Sequence, residues 1–117
     1  NTLILYGKFK VIIGDQVVIK NIMKENEVKR NQTQPQKVNC CGSIFKNPSN
    51  QNAWKLIKSS LDASFYTGPI KLSLKHSNFF ENDSNISPDL IENFIKTIQK
   101  KVEEKHNVFL ERELQII

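Results

Sequence analysis

The residues able to do chemistry fall in three places. Cys41-Gly42-Ser43 sits in a stretch rich in turn formers. A glycine ahead of a serine lets the backbone approach a ligand and leaves the hydroxyl exposed, although Gly-Ser in a loop is also ordinary turn chemistry. The tripeptide lacks the strand–elbow–helix pattern of a hydrolase nucleophile, which excludes that reaction. Glu111 and Glu113 put two carboxylates on one face of a terminal strand. They read either as a glycosidase-like pair or as a solvated edge. His76 follows Ser73-Leu74-Lys75 and falls on the face of Ile70, Leu72 and Leu74. There it is either a base or a satisfied core imidazole.

Other chemistry is excluded by what is scarce. Cys40 and Cys41 are adjacent; a disulfide between neighbours is strained, and two thiols cannot complete a structural zinc site. Free thiols in a reducing compartment fit this spacing. With His76 and His106 far from other ligand types, the sequence predicts no metal centre. The 4 glycines form no Walker or Rossmann phosphate loop. Net charge is +5, from 17 Lys and Arg against 12 Asp and Glu. Such a balance is compatible with nucleic acid or a small anion. The lysines are scattered, however, and Lys, Asn and Ile share A/T-rich codons, so genome composition accounts for the excess equally well.

The elements that must position these residues come next. Residues 3–12 are apolar and β-branched, and predict a strand broken at Gly14-Asp15. Val18, Ile19, Ile22, Met23 and Val28 fall at helical spacing and predict an amphipathic helix over 16–31, ended by Thr33-Gln34-Pro35. Residues 36–52 read as a loop with a short extended piece at 43–45. A short helix over 53–60 follows, with Trp54, Ile57 and Leu61 on one side. Residues 64–82 read as one or two strands bent near Gly68-Pro69. Ser87 is a good N-cap, with Pro88 at the first helical position and Asp89 in the first turn. The stripe Leu90, Ile91, Phe94, Ile95, Ile98, Val102 then predicts a helix stopping at Asn107. The last segment, 108–117, alternates as a strand. Val108, Leu110, Leu114 and Ile116 lie on one face, with Phe109, Glu111, Glu113 and Gln115 on the other. This order predicts an α+β fold, a small mixed or antiparallel sheet packed with helices. The 117 residues suffice for one domain with its own core. The apolar runs are too short for a transmembrane span, and no signal peptide is visible. Starting at Asn1, with Met23 the only methionine, the chain reads as a domain of a longer protein or a processed product.

Several sequence blocks, taken in order, resemble one family. Thr33-Gln34-Pro35 precedes Cys41-Gly42-Ser43-Ile44-Phe45-Lys46-Asn47-Pro48 and Ala53-Trp54-Lys55-Leu56-Ile57. Then come Ser73-Leu74-Lys75-His76-Ser77-Asn78-Phe79, Asn82, and the ending Leu110-Glu111-Arg112-Glu113-Leu114-Gln115-Ile116-Ile117. These are similar to the C-terminal half of UDP-N-acetylenolpyruvoylglucosamine reductase, the MurB family, in its shorter subclass. The resemblance is weak before Thr33. It implies residues 1–14 as the last strand of an otherwise absent FAD-binding domain, 15–32 as a connecting helix and 33–117 as a substrate-binding domain.

The family reduces UDP-N-acetylglucosamine enolpyruvate to UDP-N-acetylmuramate with NADPH and bound FAD, in peptidoglycan synthesis. By similarity Ser43 is the proton donor. Glu113 is the partner at the substrate carboxylate, where it would act protonated and therefore buried. Asn47 falls at a UDP-sugar contact, His76 and Lys75 at substrate-side positions, and Gly42 beside the cofactor. A bacterial cytoplasmic enzyme, monomeric and needing neither membrane nor nucleic acid, is implied. Departures accompany the match. Gly68-Pro69-Ile70 replaces a Gly-Gly-Ala turn and removes an amide, and 60–64 lacks the usual glycines. The flavin-binding region and the Tyr-Arg motif with the third catalytic residue are not among the 117 residues, so this chain alone is expected to bind FAD poorly and to be inactive. The alternatives are a stand-alone, non-catalytic UDP-sugar-binding module and a basic nucleic-acid-binding domain.

Overall fold

The computed structural model describes residues 3–82 and 86–116. Positions 1, 2 and 117, the outer ends of the predicted first and last segments, lie outside them. The chain divides into two compact units, Asn1–Arg30 and Asn31–Ile117.

In the first unit the predicted strand over 3–12 does not form. Residues 3–15 have no regular structure, and 3–13 are exposed throughout. β-Branched composition favours a strand only against a neighbour that takes up its amides and covers one face, and no described residue pairs with this stretch. A helix follows at Gln16–Thr33 (α1), running past the unit boundary. The Asp15 carboxylate caps it, accepting from the Val17 and Val18 amides at 2.9 Å each. Its apolar stripe follows the expected spacing, yet no residue of α1 is buried.

The second unit holds the core. Helix Ala53–Ser60 (α2) leads to a 3-10 turn over Ala63–Tyr66, then strands Ile70–Leu72 (β1) and Phe80–Asn82 (β2), and helix Pro88–His106 (α3). β1 and β2 pair antiparallel, Ile70 opposite Asn82 and Leu72 opposite Phe80. Gly68, at φ +95°, takes the chain into β1 through a conformation that disfavours side chains. Pro69 comes just ahead of the strand, where its missing amide breaks no ladder bond. Of the one or two strands expected over 64–82, two form, both short, and the stretch before Gly68 is the 3-10 turn instead. At Ser73 the chain turns, its carbonyl accepting from the His76 amide at 3.2 Å, and Leu74 is left exposed.

α3 begins and ends where its sequence says. Ser87 accepts from the Leu90 amide, Pro88 opens the helix, and Asn107 closes it in the left-handed region at φ 53°. Ile95, Ile98 and Val102 are fully buried in one cluster with Ile57, Leu72, Phe80 and Leu110. Burial of each such side chain is worth about 1.5–3 kcal/mol. α2 lies on α3, tied by Ser59 Oγ to His106 Nε2 at 2.8 Å. The fold is α+β, with an antiparallel sheet among the described residues. None of the described helices is long and apolar enough to cross a membrane.

Candidate functional site

Two distant parts of the second unit meet at one pair of residues. Phe45 and Arg112 form an antiparallel bridge. The Lys46 amide donates to the Glu111 carbonyl and the Glu113 amide to the Ile44 carbonyl, both at 2.9 Å. Phe45 and Leu110 are buried, so the terminal segment is drawn inward by its even-numbered side chains. Glu111 and Glu113 consequently face outward, as alternation requires. Among the described residues regular pairing does not extend beyond this bridge, so the predicted terminal strand is realised there as one bridged pair.

The other flank of the same segment is closed by Asn78. Its carbonyl accepts from the Ile44 amide at 2.9 Å. Its side-chain Oδ1 accepts from the Phe45 amide at 3.0 Å, and its Nδ2 donates to the Phe45 carbonyl at 2.7 Å. Only one orientation of the carboxamide satisfies both bonds, which fixes its O/N assignment.

Arg112 occupies the inward row yet is charged. Its guanidinium forks onto Glu92 of α3 at 2.6 and 2.9 Å. That fork, helped by Lys96, holds the Glu92 carboxyl down at about 2, and Glu92 in turn raises Arg112. Gln99, buried on α3, donates to the Leu110 carbonyl at 2.8 Å. Together these bonds fasten 110–112 to the helix and hold Glu113 beside them.

The expected site residues divide as follows. Gly42 and Ser43 are half-buried just ahead of the bridge, and Glu113 lies across from Ile44. Gly42 sits at φ +91°, and a Cβ built there would meet nothing within 4 Å. Its backbone is therefore open to an approaching group. Glu113 is exposed in this chain, which corrects the expectation that it is buried; the segment's inward row belongs to Leu110, Arg112 and Leu114. Asn47 has a structural task, its Oδ1 accepting from the Ala53 amide at 2.9 Å and so capping α2 from outside the helix. Glu111 is ion-paired with Lys46, which fits a solvated edge better than an acid–base pair.

His76 is in a turn, not on the face of β1. Its ring lies 4.8 Å from Phe79 and 6.1 Å from Trp54 between centroids. Burial lowers its pKa below the ordinary histidine value. Nδ1 accepts from the Asn78 amide at 3.3 Å, which assigns the proton of the neutral ring to Nε2. Lys75 is not gathered with the others. Its ammonium donates to the Asn31 carbonyl at 3.0 Å, and it borders a cavity of about 490 Å³ with Tyr66, Lys71 and Ser73. That cavity contains no other predicted site residue. A second cavity, of about 460 Å³, is lined by Cys40, Cys41, Phe80, Ile91 and Leu114 and adjoins both Gly42 and Glu113 in sequence. Both cysteines are free and exposed.

Sequence reasoning assigned no role to Asn78, Arg112, Glu92 or Gln99. Asn78 stood inside a recognised block, and its place beside Phe79 and Phe80 was the available signal. The Arg112 fork had none, because its partner is 20 residues away.

Comparison with known proteins identifies relatives of the chain. The family of the UDP-N-acetylenolpyruvoylglucosamine reductase C-terminal domain matches residues 34–117. UDP-N-acetylenolpyruvoylglucosamine reductase 2 of Bacillus cereus is 40% identical over 116 residues, covering 98% of this chain and 38% of that protein. The reductase of Pelagibacter ubique is 35% identical over 116 residues, 97% of this chain and 38% of its own length. That of the Wolbachia of Brugia malayi is 35% identical over 111 residues, 95% and 38% respectively. The chain thus spans well under half the length of these relatives.

Proposed function

The chain belongs to the family of UDP-N-acetylenolpyruvoylglucosamine reductase C-terminal domains, and on that premise we propose that it is the substrate-side domain of a bacterial, cytoplasmic, monomeric reductase of peptidoglycan synthesis. Its substrate is UDP-N-acetylglucosamine enolpyruvate, and its partner is an N-terminal FAD-binding domain. FAD reduced by NADPH supplies the hydride when bound. The open backbone at Gly42 fits one edge of such a group, while the described residues offer no glycine-rich turn for its phosphates. The cofactor is therefore held mainly by the partner domain, and this chain alone is inactive.

The chain's own residues handle the proton and the charge. Adding hydride to the terminal carbon of an enol ether leaves negative charge on the neighbouring carbon and its carboxylate. Ser43 protonates that carbon, and Glu113, in its acid form, hydrogen-bonds the carboxylate as charge develops. Since Glu113 is exposed here, substrate and partner domain must supply the dry surroundings that keep it protonated. Asn47 and His76 serve the UDP-sugar side, and Lys75 serves only if substrate displaces its bond to the Asn31 carbonyl.

The observation that carries this reading is the bond from the Glu113 amide to the Ile44 carbonyl. It brings the residue next to Ser43 directly across from Glu113, although the two blocks are far apart in sequence. The test uses the longest reading frame containing this segment, purified and supplied with NADPH and the enol ether. Ser43→Ala is expected to keep flavin reduction by NADPH and to slow reoxidation by the enol ether by about 100-fold or more. Undiminished enol-ether reduction in that variant removes Ser43 from the mechanism. Tight UDP-sugar binding without turnover in the parent protein would leave a non-catalytic module.

A further inference from the structure

Residues 40–43 form an arch between two fixed points. On one side the Asn39 carbonyl accepts from the Asn82 amide at 2.9 Å; on the other the Ile44 amide donates to the Asn78 carbonyl at 2.9 Å. The facing strand covers the same interval with 79–81, one residue fewer. The arch thus has one residue more to place than the stretch facing it, and Gly42 at φ +91° lies within it. Ser43 is the last residue of the arch. Where its hydroxyl stands depends on how firmly residues 44 and 45 are held.

On one flank the 111–113 segment holds them; on the other a strand would ordinarily do so, but β2 begins only at Phe80. Asn78 takes the place of that strand. Its carboxamide offers an acceptor and a donor at the spacing of a peptide group, and both are used on Phe45. The residue is only 4% exposed, so neither bond competes with water. We propose that Asn78 is the positioning residue for Ser43, closing on the Phe45 backbone as a neighbouring strand would and so fixing the end of the arch. The inference rests on the reading of Ser43 as proton donor and goes beyond it by naming what aims the hydroxyl.

Asn78→Asp tests it. At neutral pH the introduced carboxylate still accepts from the Phe45 amide but sets an anion against the Phe45 carbonyl. Once protonated, it again offers a donor and an acceptor. In the full reductase the variant is expected to lose about 100-fold in kcat at pH 7.5. The KM for the enol ether and flavin reduction by NADPH should be unchanged, and the ratio of kcat to wild type should recover as pH falls to about 5.5. Wild type measured at each pH cancels titration of His76 on the same turn and of Lys46, Glu111, Arg112 and Glu113 across the ladder. Asn78→Ala should show the loss without recovery, and serves where the Asp variant does not fold. A loss that is equal in kcat and KM, or that ignores pH in the Asp variant, assigns Asn78 to folding alone and overturns the proposal. Amide hydrogen exchange on the 117-residue chain is independent of the reaction. In Asn78→Ala the Phe45 amide, left without its acceptor, should exchange at least about 10-fold faster, while Lys46, bonded to the Glu111 carbonyl, keeps its protection. Unchanged protection at Phe45 refutes the clamp even if Ser43 is catalytic. Faster exchange in a protein that never reduces the enol ether leaves the clamp standing and removes the chemistry it was meant to serve.

Discussion

At the scale of single residues, the Arg112–Glu92 fork is the two-pronged charged contact of the second unit, and it ties the terminal segment to α3. The Glu92 carboxyl is held at about 2, below its ordinary 4.5. A carboxyl depressed on folding stabilises the protein above its unfolded pKa, and that contribution fades as pH falls through the folded value. Wild type should therefore resist urea better than Glu92→Gln at pH 6, with the gap between their midpoints closing between about pH 4.5 and pH 2. A gap of constant size over that range would mean that the fork adds nothing through ionisation. An inward-facing arginine breaks the alternation on which strand reading depends, so this contact was not legible. The outward direction of Glu113 was, because the even positions around it, Leu110 and Leu114, are apolar.

At the scale of elements, legibility followed how local the determinants were. α3 carries its own start and stop signals, and both ends fell where Ser87 and Asn107 put them. Residues 3–12 have the composition of a strand without a partner, and composition alone does not form a ladder. α2 is an intermediate case. Its N-cap residue Asn52 makes no side-chain cap bond, and Asn47 supplies the missing acceptor from earlier in the chain. Asn47→Ala should cost about 1 kcal/mol of stability in chemical denaturation, while Asn47→Asp, which keeps the acceptor and places a negative charge at a helix N-terminus, should cost less. UDP-sugar affinity gives the second readout. If Asn47 also contacts substrate, the Asp variant weakens binding while stability is largely kept; equal affinity in the two proteins confines Asn47 to its capping role.

At the scale of the whole molecule, every described residue classed as buried lies in the unit Asn31–Ile117. A chain cut to residues 31–117 should unfold cooperatively, with a denaturant midpoint close to that of the 117-residue chain. A large drop on removing residues 1–30 would show that the exposed apolar stretch at Leu3, Ile4, Leu5, Tyr6 and Phe9 contributes to the folded state. The α+β class was legible from the order of elements, since each helix and each Gly or Pro break was marked in sequence. What was not legible is the pairing that sets Ile44 across from Glu113, because no local pattern encodes which distant segment a single bridged residue will meet.

That pairing also sets an order of events. The bonds of α3 close within one turn, whereas Asn78 reaches Phe45 across 33 residues and Lys46 reaches Glu111 across 65. Contacts that must first close long loops form late, after local structure has reduced the entropy to be lost. The helices and the β1–β2 hairpin can therefore be in place while the Ser43 segment is still a bare sheet edge. An opening confined to the terminal segment would therefore take the candidate site apart while leaving the helices and the β1–β2 hairpin in place.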